Sequence, residues 1–209
     1  MNARQRFSAC MHFEHVDRPS QREDFLALLP RLQADHPQRL SPNWEQACAY
    51  YANRDFAVGL TICGALISPR LVRQFMLPYY RRLIDSINHL GCDLIIVDSD
   101  GDVSELVPLF IGVGVNVMLP FEVQAGMDIR IFRKKYGKNL AIIGGVDKRL
   151  LGDNLYAIDV EISEKVIPVL KSGGYIPCLD HTVPPNVNLW TFQQYIDLMR
   201  KKTGGVYGN

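Results

Sequence analysis

Three carboxylates close an apolar run in residues 93–102, DLIIVDSDGD, where Leu94, Ile95, Ile96 and Val97 lead straight into Asp98, Asp100 and Asp102. Like charges at that spacing repel, which favours the protonated form of at least one unless a cation answers them. Two kinds of chemistry use such a group: proton transfer to a substrate carbon, and coordination of a hard divalent cation through oxygen. His181, in LDHTVPP, adds a side chain suited to proton transfer near neutral pH. Asp98, Asp100 and His181 are therefore the candidate catalytic residues, and the same three are the candidate metal ligands. Glu122, Gln124, Asp147 and Lys148 end other apolar runs and are candidates for binding a small-molecule substrate. A structural explanation competes with both. Asp102 and Asp128 stand where helix N-caps are expected, and Asp98 and Asp100 could instead bind Lys148, Arg149 or backbone N–H groups, with Gly101 supplying the bend. Alternation along an extended strand puts Asp98 and Asp100 on one face, which favours the chemical reading.

The elements that must position these residues follow a repeating order. SPRLVRQFMLPYYRRLIDSINHLG reads as a helix, with Ser68 as N-cap, Pro69 at its first position and Gly91 as its stop. DLIIVDSD is a strand, DVSELVPLFIGVG a short helix, VNVMLPFE a strand, and GMDIRIFRKKYG a helix closed by Gly137. NLAIIGGVD and YIPCLDH are further strands, separated by a helix over about residues 153–172, and LWTFQQYIDLMRKK is a terminal helix. Strands apolar almost throughout that alternate with helices predict a parallel sheet in an α/β fold. Asp98, Glu122, Asp147 and His181 recur at separations of 24, 25 and 34 residues, which suits successive βα units of a barrel. No GxGxxG follows the first strand to favour a dinucleotide-binding sheet.

Upstream, FAVGLTICG reads as a strand, SPNWEQACAYYANRD as a short helix, and residues 16–43 as an arm with a short helix near QREDFLALLPRLQ. The expected division is 1–65, an N-terminal arm and first barrel strand, and 66–209, the C-terminal βα half. With 47% hydrophobic residues, 23 basic against 22 acidic side chains and a net charge of +1, the composition is that of a soluble globular chain. It gives no field for nucleic acid or an anionic membrane, and no membrane span or signal-peptide core is apparent, so a cytoplasmic location is expected. Five cysteines without a CxxC pair signal neither a disulfide framework nor a zinc knuckle.

Several segments together resemble the uroporphyrinogen decarboxylases and their relatives, which include corrinoid-linked (cobalamin-dependent) methyltransferases. MNARQRF followed by VDRP is similar to the family's opening, and LISPRLVRQFMLPYYRRLID, VDSDGDVSEL, LPFEVQAGMDI, YGKNLAIIGGVDKRLL and GGYIPCLDHTVPPNV resemble, in order, its C-terminal half. The resemblance implies a TIM (β/α)8-barrel-like fold. Here it is incomplete: five strands can be found where a barrel has eight, and the gap falls in the first half. The resemblance also implies a cofactor-free decarboxylation. A pyrrole ring is protonated, the ring cation accepts electrons as carbon dioxide leaves, and a carboxylate stabilises that cation. His181 matches the decarboxylases' active-site histidine, while the methyltransferases place a zinc-binding cysteine in that region and a His-x-Cys pair where this chain has Asp98 and Asp100. Carboxylates replace the thiolate and imidazole that zinc prefers, leaving a hard divalent metal as the alternative ligand. The family's Arg-rich substrate segment, its catalytic aspartate and its substrate-facing tyrosine find no match. The leading expectation is a carboxy-lyase acting on a tetrapyrrole or similar acid-bearing molecule, as in porphyrin biosynthesis. One alternative is a methyltransferase with a corrinoid protein partner; another is an inactive shortened barrel serving as a binding partner. A homodimer is one assembly open to such a chain.

Overall fold

The computed structural model describes residues 9, 11 and 13, the backbone of 58–62, and residues 68–152 and 154–204. The arm and short helices expected within residues 16–55 lie outside the described residues. Five strands form one sheet: β1 Val58–Ile62, β2 Ile95–Ser99, β3 Val117–Leu119, β4 Ala141–Val146 and β5 Tyr175–Leu179. They lie in sequence order, and every pair is parallel. A doubly wound sheet reverses its strand order at a switch point. This sheet never does, and so has the topology of a barrel wall, unclosed among the described residues.

The two faces of the wall are distinct. Ile95, Val97, Met118, Ile142, Tyr175 and Leu179 face a core shared with helix residues such as Ile84, Phe110, Phe132, Ile162 and Tyr195. The alternate residues Leu94, Ile96, Val117, Ala141, Ile143 and Ile176 form a second, smaller cluster on the concave face, and Ala9 and Met11 of the opening segment are buried there. At the base of the wall, Arg133 donates to the carbonyls of Gly137 (2.6 Å), Leu140 (3.0 Å) and Gly174 (2.8 Å) and stacks over the Phe13 ring at 4.9 Å.

Four of the five helices described begin where the sequence offers a side-chain cap. In α1 the Ser68 hydroxyl accepts from the Leu71 N–H; the helix runs as Pro69–Leu71, a π turn Val72–Met76, then Leu77–His89. The long helix expected after residue 153 is α4. It likewise runs as Leu155–Glu161, a π turn Ile162–Val166, then Ile167–Lys171, with Asn154 as its cap. The π turns correct the expectation of unbroken α-helix, and proline is the cause of both. Pro78 and Pro168 bring no N–H, and their rings would strike the carbonyl four residues back. Instead the preceding N–H groups, of Leu77 and Ile167, reach five residues back to Val72 and Ile162. The remaining helices are α2 Val107–Ile111, α3 Ile129–Tyr136 and α5 Leu189–Thr203. Asp128 caps α3 and Asn188 caps α5. Among the described residues no helix is long and apolar enough to cross a membrane.

Candidate functional site

In a barrel wall the residues that follow the C-terminal strand ends share one rim, because all strands point the same way. Asp98 is the fourth residue of β2, half-buried, in register with Thr61 of β1 and Leu119 of β3. Asp100 follows the strand and is exposed, as is His181 beyond β5. Asp98 feels the charges of the other two. Burial raises the proton affinity of Asp98, the charge of Asp100 raises it further, and His181 opposes both. Asp100 and His181 thus lie near enough to act on Asp98.

The other rim residues hold one another. Asp180 is fully buried at 0% exposure, and its carboxylate accepts from the N–H of Val123 (2.8 Å), after β3, and of Lys148 (3.0 Å), after β4. Glu122 accepts from the N–H of Gly101 (3.1 Å), after β2, and lies 3.5 Å from the Lys148 ammonium. Lys148 and Arg149 therefore pair with Glu122 and Asp147, in place of the pairing with Asp98 and Asp100 that one structural reading offered.

The structure adds geometry to two expectations. Asp147, expected to bind substrate, is 8% exposed and grips Arg149 through both oxygens, with Nε at 2.9 Å and Nη2 at 2.6 Å. Burial pushes its carboxyl up, but hydrogen bonds and charge from Arg149, with the charge of Lys165, outweigh that and hold it below the usual range. It anchors its own loop. Secondly, among the described residues no three His, Cys, Asp or Glu side chains are grouped to hold a metal ion, so Asp98, Asp100 and His181 do not form a ligand set in this geometry. Gln124 is exposed on a single turn, Val123–Ala125. Asp102 accepts from the Ser104 N–H and hydroxyl and is held below the usual carboxylate range by them; it shapes the turn into α2.

Sequence reasoning missed a support beneath the β4 loop. Glu161 accepts from the Asp147 N–H (3.2 Å) and pairs with the buried Lys165 one helical turn along α4. The i,i+4 spacing of a Glu and a Lys was the available signal. Their burial, which makes the pair matter, could not be seen without the π turn that carries Lys165.

A stability measurement checks the Asp98 environment. The fold favours the protonated carboxyl, so the folded chain binds this proton more tightly than the unfolded chain does. The Asp98 contribution is then most favourable below the ordinary aspartate range and declines as pH rises through the interval up to the raised value. Asp98→Asn should lose that decline, and urea midpoints followed across the acid range should converge with wild type at low pH and exceed it near neutrality. Parallel curves for the two proteins would contradict the assignment.

The sequence model of uroporphyrinogen decarboxylase (URO-D) matches residues 56–202. A search of curated proteins finds no match. Among solved structures, a methyltransferase from Methanosarcina mazei superposes with a TM-score of 0.53 at 18% identity. The aligned region covers 76% of this chain and 47% of that one, so the chain spans about half the length of this structural relative. At that identity the superposition concerns the fold. The sequence match takes in the whole wall from β1 to β5 and most of α5, and by it the chain belongs to the uroporphyrinogen decarboxylase (URO-D) family.

Proposed function

We propose that the rim carries out a cofactor-free decarboxylation of an acid-bearing small molecule, with a tetrapyrrole as the first candidate. The observation that carries this reading is Asp98: a half-buried carboxyl whose proton is retained to higher pH by burial and by Asp100, facing the strand ends. A protonated Asp98 gives its proton to a ring carbon. The ring cation then draws the electron pair of the C–CO2 bond, carbon dioxide leaves, and Asp100 stabilises the positive charge. The exposed His181 donates a proton to the exocyclic carbon left behind, and the ring proton returns to Asp98. One proton is consumed and one carbon dioxide released per cycle. Lys148, partly exposed beside Glu122, is the cation placed to meet a substrate carboxylate.

Anaerobic incubation with uroporphyrinogen, followed by oxidation and chromatography of the porphyrins, should show stepwise loss of carboxyl groups. Asp98→Asn should cut the rate by about 10²- to 10⁴-fold. Absence of any decarboxylated product would sink the tetrapyrrole assignment. The methyltransferase reading has one supporting observation, the superposition on the Methanosarcina mazei enzyme. Methyl transfer from methylcobalamin to a thiol tests it directly.

A further inference from the structure

Asp180 is a fully buried carboxylate between Leu179 and the exposed His181. Its bonds run to the backbone of two other loops, at Val123 (2.8 Å) and Lys148 (3.0 Å), and its own N–H continues the sheet ladder to the Val146 carbonyl (2.8 Å). From Lys148 the connection continues through its ammonium to Glu122 at 3.5 Å, and from Glu122 to the Gly101 N–H at 3.1 Å, the residue between Asp100 and Asp102. A chain of polar contacts thus joins the residue beside His181 to the residue beside Asp100, passing through the loops after β5, β4, β3 and β2. Closing strand-to-helix loops does not require this. The loops after β2, β3 and β4 each already have a local bond, the N–H groups of Ser104, Arg130 and Arg149 donating to Asp102, Asp128 and Asp147.

We infer that Asp180 is a positioning residue, which fixes His181 relative to Asp98 and Asp100 by tying their loops together through Lys148 and Glu122. This rests on the proposed role of those three side chains, and it adds the element that holds them in one arrangement. An aspartate suits the task because a carboxylate accepts two N–H bonds at once. An amide at the same place keeps one acceptor and turns a donor toward the other N–H.

The test uses Asp180→Asn in the full chain and reads the coupling itself. Carboxyl carbon NMR follows the titration midpoint of Asp98 with and without His181→Ala, in the wild-type and Asp180→Asn backgrounds, with circular dichroism confirming that each protein is folded. Removing His181 should raise the midpoint in the wild-type background, and by less than half as much in the Asp180→Asn background, because the imidazole is no longer held in place. Equal shifts in the two backgrounds would overturn the proposal. Should Asp180→Asn fail to fold, Glu122→Ala breaks the next link at a more exposed position and is expected to weaken the coupling in the same way; an undiminished shift there counts equally against it. The readout needs no turnover, so failure of the decarboxylase assay and failure of the positioning role are separate results.

Discussion

Gly144→Ala is expected to destabilise the protein by about 4 kcal/mol, because it forces backbone against backbone where neither side can retreat. Gly144 has φ 108°, and a β-carbon there would lie 2.0 Å from the Pro120 carbonyl oxygen. That oxygen already accepts from the Gly145 N–H at 2.8 Å, and the Gly144 carbonyl accepts from the buried Tyr175 hydroxyl at 2.9 Å. Relief by moving the loop after β3 would break the first of these bonds and drag Glu122 with it. Gly126→Ala is the matched control: its φ is also positive, at 89°, in the left-handed helical region, but nothing lies within 4 Å of the added carbon. It should lose only about 1 kcal/mol, the conformational term alone. Urea unfolding of the two variants separates them, and a Gly144→Ala loss no larger than that of the control would refute the clash.

Lys165→Met should cost about 3 kcal/mol, since it strips the partner from Glu161 in a place where both side chains are largely buried. Glu161 is then left with a single neutral donor, the Asp147 N–H, and Asp147 and Asp128 lose a positive charge that helps hold their carboxyls down. Adding Glu161→Gln should recover most of the loss, because the amide oxygen still accepts from Asp147 and no uncompensated charge remains. Thermal or urea unfolding of the single and double variants decides this. A double variant as unstable as the single one would mean that the lysine acts through its packing and not its charge.

Much of the wall could be read from the chain because local and long-range signals agree there. Apolar runs such as residues 94–97 and 140–143 are strand-forming and buried on both faces, and Ser68, Gly91 and Gly137 punctuate the helices as their backbone chemistry dictates. β3 is shorter than the apolar pattern suggests, ending at Leu119 because Pro120 has no N–H for the ladder. The two π turns were marked only by Pro78 and Pro168, which say that an α-helix must be disturbed without saying how. At the rim the residue types were legible and their allegiances were not. Asp98 and Asp147 look alike in sequence, each ending an apolar run. Only the arginine two residues after Asp147 distinguishes them, and whether that arginine folds back is a matter of turn geometry. Asp180 directly follows β5 in the sequence, but its bonds go to N–H groups of Val123 and Lys148, loops that no pattern within β5 could reveal.

The seat of Phe13 has a consequence for how the chain reaches its final form. The ring lies where any β-carbon on Gly174 would fall, 2.4 Å from the nearest ring atom, and beneath the guanidinium of Arg133. Phe13 leaves the ribosome long before the segments that build its seat have been made. Until those arrive, Ala9, Met11 and Phe13 have no surface to bury against, and the concave face stays open to competing apolar partners. Closing it joins segments far apart in the sequence, a contact of the kind that slows folding. The base of the wall should thus gain protection only late in translation, once residues 174–176 have emerged, and until then a nascent chain of this protein leaves apolar surface for a chaperone to cover.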